Sequence, residues 1–224
     1  MKRFITGLFL GLFVLFFVFF SSDSLFKIIL ASILGYSLFE LFKIKTHRSI
    51  FVWMIFVMVL INLSLIFPIA NSSGRSFFFT ALLISVFTDV FALISGKLLG
   101  KRFIYPSISP NKTLEGTLLG LVIPSFLFIF SGYLFIEFEI IGSKVFSEFL
   151  VISQFIESFG YLITFFIILF SSLASISGDL LASKSKRLMG IKDFGNFLPG
   201  HGGVLDRIDS HIICNPIFFI FYSL

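Results

Sequence analysis

Residues 178–209 read GDLLASKSKRLMGIKDFGNFLPGHGGVLDRID and hold Asp179, Asp193, Asp206 and Asp209 beside Lys184, Lys186, Arg187, Lys192 and Arg207. Carboxylates share a hard cation with substrate phosphates, while Lys, Arg and backbone N–H groups hold the remaining phosphate charge. The cluster therefore suits a site for Mg²⁺ and polyphosphate. His201 stands among Gly200, Gly202 and Gly203, which let backbone come near a ligand. No second His or Cys lies at zinc-ligand spacing, and no Lys-Ser or Lys-Thr follows to make a P-loop. Asp206 and Asp209 are three apart, so on a helix they share a face, with Arg207 turned away toward phosphate or anionic lipid.

A second polar stretch, residues 97–116, reads KLLGKRFIYPSISPNKTLEG and adds Lys101, Arg102, Ser109, Asn111, Lys112, Thr113 and Glu115. Ser109 is expected to cap a helix with Pro110 in its first turn, and exposed N–H groups at such a start favour phosphate. The plainer alternative is an ordinary basic loop beside a membrane. Asp89 lies inside the apolar run SVFTDVFALISG, where a carboxylate costs several kcal/mol unless paired, metal-bound or wetted. It is either a packing carboxylate bonded to a neighbour or a group facing the active cavity. Asp179 poses the same question at the end of a later apolar run, after Gly178, which admits a close backbone or ligand.

The elements that must position these groups are membrane helices. Hydrophobic residues make up 57% of the 224 and charged residues only 13%, with a mean hydropathy of +1.07. A soluble domain of this size has too little polar surface to cover such a chain. Seven apolar segments appear: Phe4–Phe20, Leu25–Phe42, Ile50–Ala70, Phe77–Gly96, Thr117–Ile136, Gly160–Leu181 and Ile212–Leu224. They are continuously apolar rather than alternating, which predicts helices and not strands. The last is short for a span, which takes about 20 residues. The fold class expected is all-α, a polytopic membrane helix bundle of about seven spans. Lys2 and Arg3 before the first run look like a signal peptide, but another span follows at once, so an uncleaved first helix is expected. The single cysteine, Cys214, excludes an internal disulfide.

Loop charge predicts a cytoplasmic N-terminus. With that orientation, all 17 Lys and Arg except Lys27, Arg75 and Lys144 fall on the cytoplasmic side. Segments 97–116 and 182–211 are then both cytoplasmic loops. The basic residues sit in short loops between apolar runs, which argues against nucleic acid as a partner. The outer segment 137–159 is expected to be a lid or packing segment, its FSEFLVISQFIESF portion lying along the interface. Residues 1–76 are expected to form an N-terminal membrane region and 77–224 the membrane domain that carries the chemistry. A transporter would spread polar residues through the membrane depth. Here they gather on one side, which favours an enzyme.

The residues at these spacings resemble the phosphatidate cytidylyltransferases, the CDP-diacylglycerol synthases. The C-terminal signature appears as Ser183, Lys186–Arg187, Lys192–Asp193, Gly195, Pro199, His201–Gly202–Gly203, Asp206–Arg207 and Asp209. Upstream elements appear as Asp89, Ala92, Gly96–Lys97, Gly100–Lys101 and Ser109 through Gly116. The resemblance covers residues 85–210, and the first three spans only by hydropathy. Ala182 stands where the family often has Glu, Leu93 replaces a common Tyr, and Ser185 occupies a usually apolar position.

The resemblance implies transfer of CMP from CTP to phosphatidic acid, giving CDP-diacylglycerol and pyrophosphate, in the cell membrane with the active site toward the cytoplasm. It implies Mg²⁺, with K⁺ as a candidate second cation, and suggests a homodimer. Asp179 and Asp206 are the metal ligands it favours, then Asp209 and Asp193. Lys186, Arg187, Lys192, Lys101 and Lys112, with Ser109, Thr113 and Arg207, would hold the nucleotide phosphates. His201 would donate a hydrogen bond to phosphate. The alternative is another CTP-dependent lipid enzyme, of the polyprenol or phytol kinase or CDP-archaeol synthase type.

Overall fold

The structure, a computed structural model, describes residues 11, 13–44, 49–69, 72–137, 151–197 and 202–223. The described residues form helices joined by loops: α1 (Asp23–Lys43), α2 (Ile50–Ile69), α3 (Ser72–Leu99), α4 (Leu114–Glu137), α5 (Ile152–Leu188) and α6 (Leu205–Tyr222), with residues 13–20 also helical. Four helices, Asp23–Lys43, Gly74–Leu99, Leu114–Ile136 and Ile152–Leu188, are long and apolar enough to cross a membrane. Among the described residues there is no strand beyond one isolated bridge, Phe103 to Thr113.

The distribution of side chains is what lipid requires. Large apolar groups face outward, with Phe20 76%, Leu98 76% and Leu162 71% exposed. Small hydroxyl residues face inward: Thr80, Ser125, Thr164 and Ser171 are fully buried. These hydroxyls donate to the carbonyl four residues back in their own helices, at 2.8–2.9 Å, so they need no water. Small residues at helix contacts allow the close approach on which membrane packing depends. The α3–α4 pair shows it most clearly. A Cβ on Gly116 would lie 2.6 Å from the Ala92 carbonyl oxygen, and one on Gly120 2.6 Å from the Ala92 Cβ.

Several boundaries differ from the expected ones. Helix α5 runs on to Leu188, so residues 182–188 are helix rather than loop. Its backbone bends at Gly160 (φ 78°), and residues 152–159 form a separate short helix. One face of that helix is buried in the bundle: the Val151 N–H donates to Thr80 Oγ1 at 3.3 Å, and Ile152 and Ile156 pack against Gly132. The part of the expected interfacial stretch before residue 151 lies outside the described residues. Helix α6 begins at Leu205, ahead of the apolar run starting at Ile212, because its first turns face other protein groups instead of lipid.

The start of α4 also corrects an expectation. Ser109 does not cap it. Residues 106–111 make turns, and the helix starts at Leu114 with Thr113 as cap, its Oγ1 accepting the Gly116 N–H at 3.2 Å. Before it, the 100–113 loop doubles back on itself. Ile104 N–H donates to Lys112 O at 3.1 Å and Leu114 N–H to Arg102 O at 2.8 Å.

Candidate active site

The two polar stretches meet at one end of the bundle. Lys112, from the 100–113 loop, places its Nζ 2.5 Å from Asp179 Oδ2 on α5. Arg187, two turns further along α5, donates from Nε to Ile108 O at 3.4 Å. Glu115 closes the base of the same loop by accepting the N–H groups of Lys101 (2.9 Å) and Arg102 (3.2 Å). The loop is therefore tied to the helix that carries the signature.

Helix α6 supplies the other carboxylates. Asp206 and Asp209 share a face, as their spacing requires, and both meet Lys186: its Nζ lies 2.8 Å from Asp206 Oδ1 and 3.8 Å from Asp209 Oδ2. Asp206 is almost fully enclosed. Its Oδ2 accepts the N–H groups of Phe194 at 2.8 Å and Gly203 at 2.9 Å. This one side chain thus joins α5, the 189–204 connection and α6. The close approach of α6 to α5 passes over Gly178, where a Cβ would fall 2.5 Å from Asp209 O. That glycine serves backbone packing.

Asp89 belongs to the same neighbourhood. Its Oδ2 accepts the Ser210 hydroxyl at 2.8 Å, and it lies within electrostatic reach of Asp179 and Lys112. Asp209 in turn is repelled by both Asp179 and Asp89. Three mutually repelling carboxylates accompanied by two ammonium groups form a site that an added cation would relieve. Asp179 is 27% exposed, and among the described residues each of its oxygens has a single protein partner, Ser183 Oγ at 3.3 Å and Lys112 Nζ. A carboxylate oxygen carries two lone pairs, so Asp179 retains free acceptor capacity. The donor set is hard oxygen, as Mg²⁺ prefers. Among the described residues no three such side chains converge as a metal cage.

The remaining expected residues fall as follows. Asp193 lies against Gly202, where a Cβ would sit 3.2 Å from Asp193 Oδ1 and 3.0 Å from Asp206 Oδ2. The φ of 81° at Gly202 favours glycine independently of space. Lys101, Lys192 and Arg207 are exposed and Ser109 is half-buried. Thr113 is buried, its hydroxyl engaged in capping α4 between Gly96, Gly100 and Gly116. His201 lies outside the described residues. Ala182 is buried and lines a small pocket with Ile55, Met58, Gly178, Leu181 and Asp209.

Ser183, already part of the signature, holds Asp179 from one turn along α5. Sequence reasoning missed two groups. Ser210 holds Asp89, and nothing in its own spacing signals it. Glu40 accepts the N–H groups of Val204 and Leu205. Its signal was available: a carboxylate in the apolar run LFELFK demands a partner.

Comparison with known proteins shows the family. A model of the Cytidylyltransferase family matches residues 4–224. A Helicobacter pylori protein named phosphatidate cytidylyltransferase is 39% identical over 145 residues, covering 65% of this chain and 46% of its own length. A Bacillus subtilis protein of the same name is 36% identical over 151 residues, covering 67% and 49% respectively. One from Staphylococcus saprophyticus is 37% identical over 147 residues, covering 66% and 49%. The chain spans about half the length of the curated relatives it matches. With the family match running through every helix that builds the site, the chain belongs to the cytidylyltransferase family.

Proposed function

We propose that the protein transfers CMP from CTP to phosphatidic acid, releasing pyrophosphate and forming CDP-diacylglycerol. The observation that carries this reading is the joining of Lys112–Asp179 and Lys186–Asp206–Asp209 at one end of an apolar bundle, in a chain of the cytidylyltransferase family. A phosphate oxygen of the lipid attacks the α-phosphorus of CTP, and the bond to the bridging oxygen of the β-phosphate breaks. The nucleophile is already an anion, so no strong base is needed. Catalysis is positioning and charge neutralisation.

The chain's own residues divide that work. Lys112 and Lys186, held by carboxylates, present ammonium charge to the triphosphate. Arg187, exposed at the loop edge, and Lys101, Lys192 and Arg207 draw CTP in from solvent. Asp179, with Asp206 or Asp209 as a second ligand, would hold Mg²⁺, which neutralises developing phosphate charge when bound. A lipid whose phosphate reaches the site sideways would keep its acyl chains in the bilayer, avoiding about 0.8 kcal/mol per extracted CH₂.

In this reading the bundle has about seven spans, its N-terminus is cytoplasmic and the site faces the cytoplasm, as the positive charge of both polar stretches supports. The test is incubation of the purified chain with labelled CTP, Mg²⁺ and a panel of lipid phosphates and lipid alcohols. Pyrophosphate release with a CDP-lipid product from phosphatidic acid is expected. CDP release with phosphorylation of an alcohol would replace this reading with a lipid kinase.

A further inference from the structure

Glu40 lies on α1, far in sequence from every other charged group of the site, and is only 4% exposed. A carboxylate buried so deeply is costly unless its oxygens are satisfied. Both are. Oε1 accepts the Val204 N–H at 3.0 Å, and Oε2 accepts the Leu205 N–H at 2.9 Å. These N–H groups belong to the start of α6, where unpaired donors and the helix dipole both favour negative charge.

Two glycines in the signature make room for this side chain. A Cβ on Gly195 would come 2.3 Å from Glu40 Oε1, and one on Gly203 would come 2.5 Å from it. Glycine at these two positions is thus explained by a neighbouring carboxylate rather than by backbone conformation. The same connection is held from α6 by Asp206, which accepts the Phe194 and Gly203 N–H groups and pairs with Lys186. Leu205, whose N–H Glu40 holds, immediately precedes Asp206.

Resting on the proposed function, we infer that Glu40 is a positioning residue: its carboxylate clamps the Gly203–Leu205 turn and so fixes Asp206 and Lys186 for phosphoryl chemistry. The site is then built partly by α1, outside the catalytic segment. Misplacing a catalytic group by about 1 Å costs on the order of a hundredfold in rate. Gln at this position keeps the shape but presents an NH₂ group to one of two N–H donors, breaking the clamp without opening a cavity.

The experiment uses the full chain in detergent, with Glu40→Gln, Gly203→Ala, the double variant, and Glu157→Gln as an exposed control at a distant position. Hydrogen exchange is read on peptides from 194–206 and from α4, alongside steady-state kinetics. Glu40→Gln is expected to accelerate exchange in 194–206 and leave α4 unchanged. Its kcat should fall by about a hundredfold with the lipid KM nearly unaltered. The double variant should be no slower than the slower single variant, because both disrupt one contact. Glu157→Gln should match wild type. Unchanged exchange in 194–206, unchanged kcat in an active enzyme, or equal loosening of α4 would each overturn the inference. If wild type makes no CDP-lipid, the proposed function falls, and exchange alone decides the clamp.

Discussion

The Lys112 ammonium lies 2.5 Å from the Asp179 carboxylate and joins two polar stretches 67 positions apart in the numbering. Both side chains are partly covered, at 20% and 27% exposure. The Lys112 Nζ itself is buried, so in the proposed reaction a nucleotide phosphate would have to open this pair to take over the lysine, leaving the carboxylate to a cation.

Lys112→Met is expected to lower CMP transfer by about a hundredfold, since a preorganised charge is lost where phosphate charge develops. Lys112→Arg keeps the charge but changes a point charge for a planar fork, and should fall between. Initial rates with labelled CTP read both. A wild-type rate for Lys112→Met would remove this lysine from the site.

Asp179→Asn and Asp206→Asn are each expected to reduce turnover by roughly a thousandfold or more, because an amide cannot balance Mg²⁺. They should differ in stability. Asp206 holds three donors in a nearly closed position, so its amide variant should lose about 1–3 kcal/mol. Asp179, more open, should lose less. Thermal unfolding in detergent separates them, and equal unfolding temperatures would contradict the structural share given to Asp206.

Arg187→Lys is expected to weaken CTP binding, although charge is kept. Arg187 Nε reaches Ile108 O, and a lysine, which has no Nε–H at that place, would remove one of the two ties of the 100–113 loop to α5. The CTP KM should rise severalfold. An unchanged KM in Arg187→Ala would leave this residue a topogenic charge only.

Gly116→Ala and Gly35→Ala should have opposite signs. A Cβ at Gly116 would meet the Ala92 carbonyl oxygen at 2.6 Å and the Gly96 Cα at 2.7 Å, so about 1–3 kcal/mol of stability should be lost. At Gly35, inside α1, nothing lies within 4 Å, and the higher helix propensity of Ala should add up to about 1 kcal/mol. Unfolding temperatures of the two variants check the pair.

Cysteines placed at Tyr105 and Asn196, both exposed, should label with a membrane-impermeant reagent from the cytoplasmic side only. Cys214 is fully buried and should stay unlabelled. Labelling of either new cysteine from outside alone would reverse the orientation.

The helices were legible from hydropathy because a long apolar run has few other ways to satisfy its backbone in lipid. The meeting of 97–116 with the C-terminal signature was legible in outline, since both concentrate charge and glycine. Their ends were not. Asp179 through Arg187 continue a helix because Leu181, Ala182 and Ser185 still pack inward, and residue-by-residue hydropathy does not register that face. Ser109 looked like a cap by type, yet Thr113 is the residue whose hydroxyl reaches a free N–H.

The sequence by itself determined an all-helical apolar chain, the chemical types gathered for phosphate work, and the face shared by Asp206 and Asp209, because these depend on spacing along the chain. Tertiary structure decided the pairings: Lys112 with Asp179, Lys186 with Asp206, Ser210 with Asp89, and Glu40 with an N–H 165 positions away. Each carboxylate had several eligible partners by type. Which one it meets depends on helix crossings set by small residues such as Gly116 and Gly178, where sub-ångström differences in backbone separation decide whether a hydrogen bond forms.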